Sequence, residues 1–501
     1  MGAVNHAATI ETHAAALFFV GDRAYKMKKP VNLGFLDFRS RADREAACHR
    51  EVDLNRRLAP DVYLGVADVL GPDGRPCDHL VVMRRMSADR RLSSLVRAGV
   101  PVSGHLRRLA RVLAAFHATA RRGPAISAEG TCEALRQRWD DSFAMLQPFH
   151  GGVLDAAVAA RIETLTHDFL AGRAPLFDDR IAAGRIVDGH ADLLADDIFC
   201  LDDGPRILDC IEFDDRLRYV DMLDDAAFLA MDVEHLGAAN AARDFLDRYA
   251  AFSGDTAPAA LRHHYLAYRA FVRAKVACLR RTQGDATAAT DVADHVDLTL
   301  RHLRAGVVRL VLVGGLPGTG KSTLAGRLAD RLGAVLISSD RIRKELAGLD
   351  PACGAAAAYR GGIYTAQWTE RTYAELLRRA HRLLERGESV VLDASWIRDA
   401  PRQAAHRTAA DTHSVLVSLR CTADPATVDE RLRRRAAARD YRSDADAVIA
   451  AALAADADPW PQSRAVPTGR PADLVERDAL AMIRRAETPA AKDPCEVKEN
   501  R

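Results

Sequence analysis

Two groups of residues have the types and the spacing for phosphate chemistry. The first is Gly315-Leu316-Pro317-Gly318-Thr319-Gly320-Lys321-Ser322, which fits G-x-x-x-x-G-K-[ST] between an apolar run and a helical pattern. Glycines so placed let backbone N–H groups curl around phosphate oxygens at a helix N-terminus. Lys321 then reaches the β- and γ-oxygens, and Ser322 is placed to ligate Mg²⁺. Downstream, Val390-Val391-Leu392-Asp393 is an apolar strand ending on a carboxylate, the second metal-orienting position that such sites use. Asp340-Arg341-Ile342-Arg343-Lys344 follows the strand between them. Asp340 has two readings: a base taking a hydroxyl proton, with Arg343 anchoring the acceptor, or a helix cap among solvated charges. Arg431, Arg434, Arg435 and Arg439 lie along one helical stretch, as a lid bringing positive charge or as a solvated face.

The second group is His190-Ala191-Asp192-Leu193-Leu194-Ala195-Asp196-Asp197 with Ile207-Leu208-Asp209-Cys210-Ile211-Glu212. A carboxylate, a metal-capable side chain five residues on, and a third carboxylate after a strand have the spacing of a phosphotransfer loop and its metal ligand. Asp209 and Glu212 both follow that strand and either could be the third carboxylate. Upstream, Lys26 and Lys28 alternate on one strand and so point to the same side. Glu51, on the helix that follows, can pair with whichever of them contacts phosphate, and spacing does not choose between the two. Only eight of the 71 basic residues are Lys, and three of those stand at 26, 28 and 29. A compact point charge therefore marks this strand and the glycine loop in a chain that otherwise uses Arg.

The elements needed to hold these residues are readable. Leu17–Val20 and Arg23–Lys29 are strands joined at Gly21-Asp22. Ser40–Leu58 and residues 102–121 have helical spacing, and Leu80–Met83 is a strand. Cys132–Leu170 and Pro258–Leu303 are helical again, with an Asp-rich loop-and-strand stretch between them at 185–221. From 307 onward short apolar strands (Val307–Val313, Ala334–Ser338, Ser389–Leu392, Ser414–Leu419) alternate with helices, the pattern of a parallel sheet. The expected organisation is a two-lobed α+β domain at 1–304, an α/β domain at 305–486 and a disordered polar tail at 487–501.

Composition bounds the rest. The chain has 501 residues and a formal net charge of +2, which disfavours a global nucleic-acid or membrane-surface binder. No apolar run approaches the ~18 residues of a membrane span. Nine scattered cysteines without a Cys-x-x-Cys read as reduced thiols, and the expected location is cytoplasmic. The run Asp214, Asp215, Asp221, Asp224, Asp225, Asp232 and Glu234 reads either as an acidic wall for a polycationic acceptor or as capping and surface charge.

Residues Gly315–Ser322, Asp340–Lys344 and Val390–Asp393 make the second half resemble P-loop kinases, the group including polynucleotide kinases, zeta toxins and AAA-type kinase-like domains. That resemblance implies ATP and Mg²⁺ as cofactors, a P-loop NTPase fold and Asp340 as base. The first half, on Tyr25–Val31, Glu51–Leu58, the loop at 190–197 and Asp209–Arg218, resembles aminoglycoside phosphotransferase-like kinases. It implies a protein-kinase-like two-lobed fold with ATP at the lobe junction, Asp192 as base, and Asp197 and Asp209 as Mg²⁺ ligands. The family's loop reads H-G-D-x-H-x-x-N, whereas this chain has Ala191, Leu194 and Asp197. The combined expectation is an ATP- and Mg²⁺-dependent phosphotransferase with a hydroxyl-bearing acceptor that the sequence does not name. A chain whose first lobe only binds nucleotide and regulates the second is the alternative.

Overall fold

The computed structural model describes residues 8–11, 15–32, 37–282, 284–285, 287–350, 361–437 and 447–486. The expected tail at 487–501, Arg439 and the side chain of Arg435 lie outside the described residues. Contacts divide the chain into two units. One comprises Met1–Glu163, Phe177–Ala257 and Leu261–Leu303. The other comprises Thr164–Leu176, Pro258–Ala260 and Arg304–Arg501.

The first unit opens with a five-stranded antiparallel sheet: β1 (Ala8–Glu11), β2 (Ala15–Val20), β3 (Arg23–Lys28), β4 (Tyr63–Leu70) and β5 (Pro76–Arg84), in the order β1-β2-β3-β5-β4. Gly21, with a φ of +58°, makes the β2–β3 turn that the Gly-Asp pair predicts. The Arg41–Asn55 helix starts where Ser40 accepts the Asp43 N–H at 3.1 Å. It packs Cys48 and Val52 onto Ala24, Val81 and Met83 of the sheet. β1 and β4 were not legible as strands in the sequence.

Helices make up most of the remainder of this unit, and Gly151-Gly152 breaks the expected Cys132–Leu170 helix into Cys132–Leu146 and Ala156–Ala171. Within the Asp-rich stretch, β6 (Ile186–Asp188) pairs with β9 (Tyr219–Asp221), and β7 (Ile198–Cys200) with β8 (Pro205–Ile207), both antiparallel. These two small ladders hold the loop 190–197 and the residues after β8. Helix Met222–His235 runs directly from β9 and is buried along most of its length.

The second unit is a parallel sheet in the order β11-β12-β10-β13-β14: β10 (Arg309–Gly314), β11 (Val335–Ser338), β12 (Val390–Asp393), β13 (Val415–Thr422) and β14 (Arg464–Pro467). The four sequence-predicted strands are β10 to β13; β14 is the one missed. The Lys321–Leu332 helix buries Leu324, Ala325, Leu328 and Ala329 against Val311, Val313, Val391 and Val417 of the sheet. The glycine loop thus lies at the carboxyl end of the central strand, where parallel sheets place their ligands. Among the described residues no helix is long and apolar enough to cross a membrane.

Candidate functional site

The loop between β10 and the Lys321–Leu332 helix requires its glycines. Gly315, Gly318 and Gly320 have φ of +136°, +81° and +85°. A Cβ at Gly315 would stand 2.8 Å from the Cys421 carbonyl oxygen, and one at Gly318 2.8 Å from Val428. The Thr319 hydroxyl donates to the Leu316 carbonyl at 2.7 Å, with Pro317 buried in the turn between them. Gly320 caps the helix, so its first-turn N–H groups lack intrahelical partners and face outward beside Lys321 and Ser322. From across the sheet, Thr468 after β14 donates to the Thr319 carbonyl at 2.6 Å. Arg431 reaches the Gly318 carbonyl at 3.4 Å and the Thr468 carbonyl at 2.7 Å. Of the four arginines read as a lid, Arg431 is therefore seated on the phosphate loop, while Arg434 is exposed.

Asp393 ends β12 beside this loop and is nearly buried. Burial pushes its carboxyl up, against the Lys321 charge and a hydrogen bond from Ser322, which hold it down. Its Oδ1 has no hydrogen-bond partner among the described residues. An orphaned carboxylate oxygen next to a hydroxyl and a phosphate-binding loop is the hard-oxygen donor set that suits Mg²⁺ completed by phosphate oxygens. Asp340 is in the first turn of Ser339–Leu346, whose cap is Ser338, so the cap reading of Asp340 does not hold. Asp340 and Arg343 both act electrostatically on Tyr373, a residue that the sequence reading missed. The Tyr373 hydroxyl accepts the Trp396 N–H at 3.1 Å and contacts Ser395 at 3.2 Å. Arg343 is nearly buried, stacked 4.9 Å from the Tyr364 ring centroid and bonded to the Ile363 carbonyl at 2.9 Å.

The other candidate residues meet in the first unit. Lys26 Nζ stands 2.9 Å from Glu51 and 2.5 Å from Asp209. Lys28 is 2.6 Å from the other Glu51 oxygen and also pairs with Glu212. The two lysines thus divide the carboxylates between them. Burial opposes the Lys26 charge, but Asp209 and Glu51 outweigh it and hold its pKa well above the ordinary value. Asp209 is correspondingly held down by Lys26, against the desolvation it meets from the surrounding protein. It sits at φ +65°, and its side chain is 44% exposed, against 9% for Glu212. Asp209 is thus the more accessible of the two carboxylates.

The 190–197 loop is held by its backbone. Asp225 accepts the His190 and Ala191 N–H groups at 2.7 and 2.8 Å, and His117 at 3.1 Å. Asp224 takes Arg269 in two bonds of 2.7 Å, and Arg269 also donates to the Ala191 carbonyl at 3.1 Å. His190 Nε2 donates to the Leu208 carbonyl at 3.1 Å, and burial drives the ring pKa down to about 4, so it is a neutral brace. Asp192 is raised to about 6, by burial first, with Arg273 opposing and Asp209 adding to the shift. Asp197 is pushed well up by burial, then by Asp209 and Asp192. Three carboxylates thus repel one another at one place.

Of the two readings of the acidic run 214–234, this geometry supports capping and pairing over a wall. Its carboxylates cap or pair internally: Asp214 with the Arg216 N–H, Asp215 with Arg50 and Arg218, Asp221 with Arg180, and Glu234 with Arg301 and His302. Asp224 and Asp225 hold the loop, and Asp232 accepts the Ala195 N–H at 2.8 Å. No acidic wall is left for a polycation in this segment.

Ala191, where the resembling family has Gly, is at φ +70°. A methyl group there costs about 1–2 kcal/mol, while Gly loses about 0.4–1 kcal/mol more chain entropy on folding. Ala191→Gly is expected to stabilise the first unit by about 0.5–1 kcal/mol in urea unfolding of the full chain. A loss of stability would show that the packing of this nearly inaccessible methyl group outweighs its strain.

Fold and site together define a unit of antiparallel sheet and helices that gathers lysines and carboxylates, and a parallel-sheet unit that carries a P-loop. A family model described as an AAA domain matches residues 310–459, which include the glycine loop, Asp340 and Asp393. The chain is 48% identical over 476 residues to "Uncharacterized protein Rv2004c" of Mycobacterium tuberculosis, covering 95% of each chain. It belongs to the same family as that protein. Among solved structures it is similar to the GDP and kanamycin complex of APH(2")-IIIa, at 15% identity, 60% of this chain, 94% of that chain and a TM-score of 0.40. It is also similar to a sugar kinase from Janibacter sp., at 17% identity, 35% of this chain, 94% of that chain and a TM-score of 0.28.

Proposed function

We propose that the chain is an ATP- and Mg²⁺-dependent phosphotransferase with two nucleotide sites, in functional domains spanning 1–304 and 305–486. The γ-phosphoryl group of ATP passes to an acceptor hydroxyl: the bond from phosphorus to the ADP oxygen breaks, a bond to the acceptor oxygen forms, and the hydroxyl proton leaves. The observation that carries this is the orphaned Asp393 oxygen beside Ser322 and Lys321 under a glycine-lined loop. Gly315, Leu316, Pro317, Gly318, Thr319 and Gly320 shape the cradle, Lys321 contacts phosphate, and Ser322 and Asp393 would hold Mg²⁺. The metal would supply charge neutralisation on the phosphate oxygens. Arg431 fixes the loop from the side, and Asp340 is the base for the acceptor hydroxyl.

In the first unit Lys26, fixed by Glu51 beside Asp209, contacts phosphate, and Lys28 is the buried partner of Glu51 and Glu212. Asp192 is the base, with Asp197 and Asp209 the Mg²⁺ ligands. A second reading, in which this lobe binds ATP without transferring phosphate, is favoured by Asp197, a third carboxylate whose ionisation is opposed by burial and by Asp209 and Asp192. A soluble small-molecule acceptor is favoured over nucleic acid, with the protein in the cytoplasm.

The test at the P-loop site is Asp340→Asn in the full chain. Turnover dependent on Lys321 should fall about a hundredfold, the lower range for a general base, with ATP affinity unchanged. Equal turnover in variant and wild type would leave Asp340 without a catalytic role.

A further inference from the structure

Thr468 is the first residue after β14, at the edge of the sheet, and is nearly buried. Its N–H donates to the Thr422 carbonyl at 2.8 Å, which fastens it to the end of β13. Its hydroxyl has one proton to give and faces two carbonyl oxygens, Thr319 at 2.6 Å and Thr422 at 3.1 Å. The Thr422 oxygen already holds the Thr468 N–H, whereas the Thr319 oxygen has no other donor among the described residues. The proton therefore goes to Thr319. From the helix Pro425–Ala437, Arg431 donates to the same hydroxyl oxygen at 3.2 Å and to the Thr468 carbonyl at 2.7 Å. Thr468 is thus fixed by two other elements where it meets the glycine loop.

The other end of the same peptide gives this bond its consequence. The described residues contain no cis peptide, so the Thr319 C=O and the Gly320 N–H share one plane and point in opposite directions. Holding the carbonyl toward Thr468 aims the Gly320 N–H away from it. That N–H has no hydrogen-bond partner among the described residues, and it immediately precedes Lys321 and Ser322. Rotating the plane needs changes at ψ of Thr319 and φ of Gly320, and a glycine, here at +85°, resists them least. The residue that the curvature of the loop demands is therefore one that leaves its own peptide unrestrained. A rotated plane would turn a carbonyl oxygen toward phosphate in place of an N–H, a repulsion in place of an attraction. The restraint has to come from outside the loop, and Thr468 supplies it.

We propose that Thr468 is a positioning residue of the P-loop site: its hydroxyl locks the peptide between Thr319 and Gly320, so that the Gly320 N–H meets a phosphate oxygen of the nucleotide. This rests on the reading of residues 315–322 as a nucleotide site. Thr468 acts through that peptide and not on the nucleotide itself.

Thr-Gly occurs twice in the chain, at 319–320 and 468–469. The full chain labelled at the threonine carbonyl carbon and the glycine nitrogen therefore gives two amide signals in a carbonyl-filtered NMR spectrum. Any substitution at 468 leaves the Gly320 signal alone. Mg·ADP is the probe, because it fills the loop without turnover. In the wild type the Gly320 amide proton should move downfield on binding, as an amide does when it donates to phosphate. Thr468→Ser should retain that shift. Thr468→Val should lose it and bind Mg·ADP about tenfold more weakly at the Lys321-dependent site by calorimetry. Thr468→Ala, which puts no methyl group in place of the hydroxyl, is the variant measured if Thr468→Val does not fold. A shift equal to that of the wild type in either hydroxyl-free variant overturns the proposal, as does its loss in Thr468→Ser. Lys321-dependent binding that leaves the Gly320 proton unmoved in the wild type overturns it too. Mg·ADP binding that is unchanged in Lys321→Ala, with Gly320 unmoved, is instead the failure of the P-loop reading.

Discussion

Replacing Lys321 with Ala is expected to leave the chain folded and to remove the P-loop site from the two proposed ATP sites. The side chain stands at the first position of the Lys321–Leu332 helix, outside the apolar set Leu324, Ala325, Leu328 and Ala329 that fastens this helix to the sheet. Its loss therefore opens no cavity in the core. What disappears is the one lysine charge opposing the burial of Asp393 at the mouth of the glycine loop. ATP brings several negative charges into that loop beside Asp393. Without Lys321 the loop N–H groups remain to meet them, beside an Arg431 that is occupied with carbonyls. Calorimetric stoichiometry with Mg·ATP is expected to fall from two sites per chain to one, with unchanged thermal unfolding in the absence of nucleotide. An unchanged stoichiometry would remove the principal support for a P-loop nucleotide site.

The parts of this chain that the sequence disclosed are those whose physics is local. Gly315–Ser322 declares itself because a strand, a turn with three left-handed glycines and a helix follow one another without interruption. Ser40 caps its helix through a bond three residues away. Lys26 and Lys28 share a side because strands have a period of two. The structure then separates the two lysines by what they meet from remote segments, Asp209 for one and Glu212 for the other. That separation depends on how β3 faces the turn after β8, across more than 180 residues, and no spacing rule contains it.

The acidic run is the clearest case in the opposite direction. In sequence, 214–234 is a block of carboxylates with no local counter-charge beyond Arg216 and Arg218. In the fold its members are met by Arg50, His117, Arg180 and Arg269, each from a different helix. Charge that looks like a surface becomes the frame of a loop once distant partners arrive. Tyr373 was hidden for a related reason: its hydroxyl matters only because Trp396 folds back at φ +53° to donate to it. Thr468 was hidden too, because β14 reads as a loop until it pairs with β13.

Asp192→Asn should impair function and improve stability together. In its proposed role as base for an acceptor hydroxyl in the first unit, Asp192 would be worth about 10²–10⁴-fold in the rate dependent on that lobe. In the nucleotide-free protein the same carboxyl is a liability. Burial, with Asp209 adding to it, raises its pKa from 3.8 to about 6 against the pull of Arg273. The folded state therefore binds more protons than the unfolded chain between about pH 4 and pH 6. Stability falls as pH rises through that window, and the penalty is fully present at pH 7, on the order of 3 kcal/mol. An amide of the same shape carries no such penalty, so Asp192→Asn should unfold at a higher urea concentration at pH 7 and lose the advantage below pH 4. Mg²⁺ with nucleotide should narrow the difference by screening the carboxylates in the wild type. Asp197→Asn should also stabilise the nucleotide-free chain, because Asp197 is pushed up by Asp209 and Asp192 as well as by burial. It retains an oxygen for the metal and should keep most of the activity. If Asp192→Asn is neither more stable at pH 7 nor slower in turnover, Asp192 is a solvated loop carboxylate. If it is more stable but equally fast, the strain is real and the base lies elsewhere.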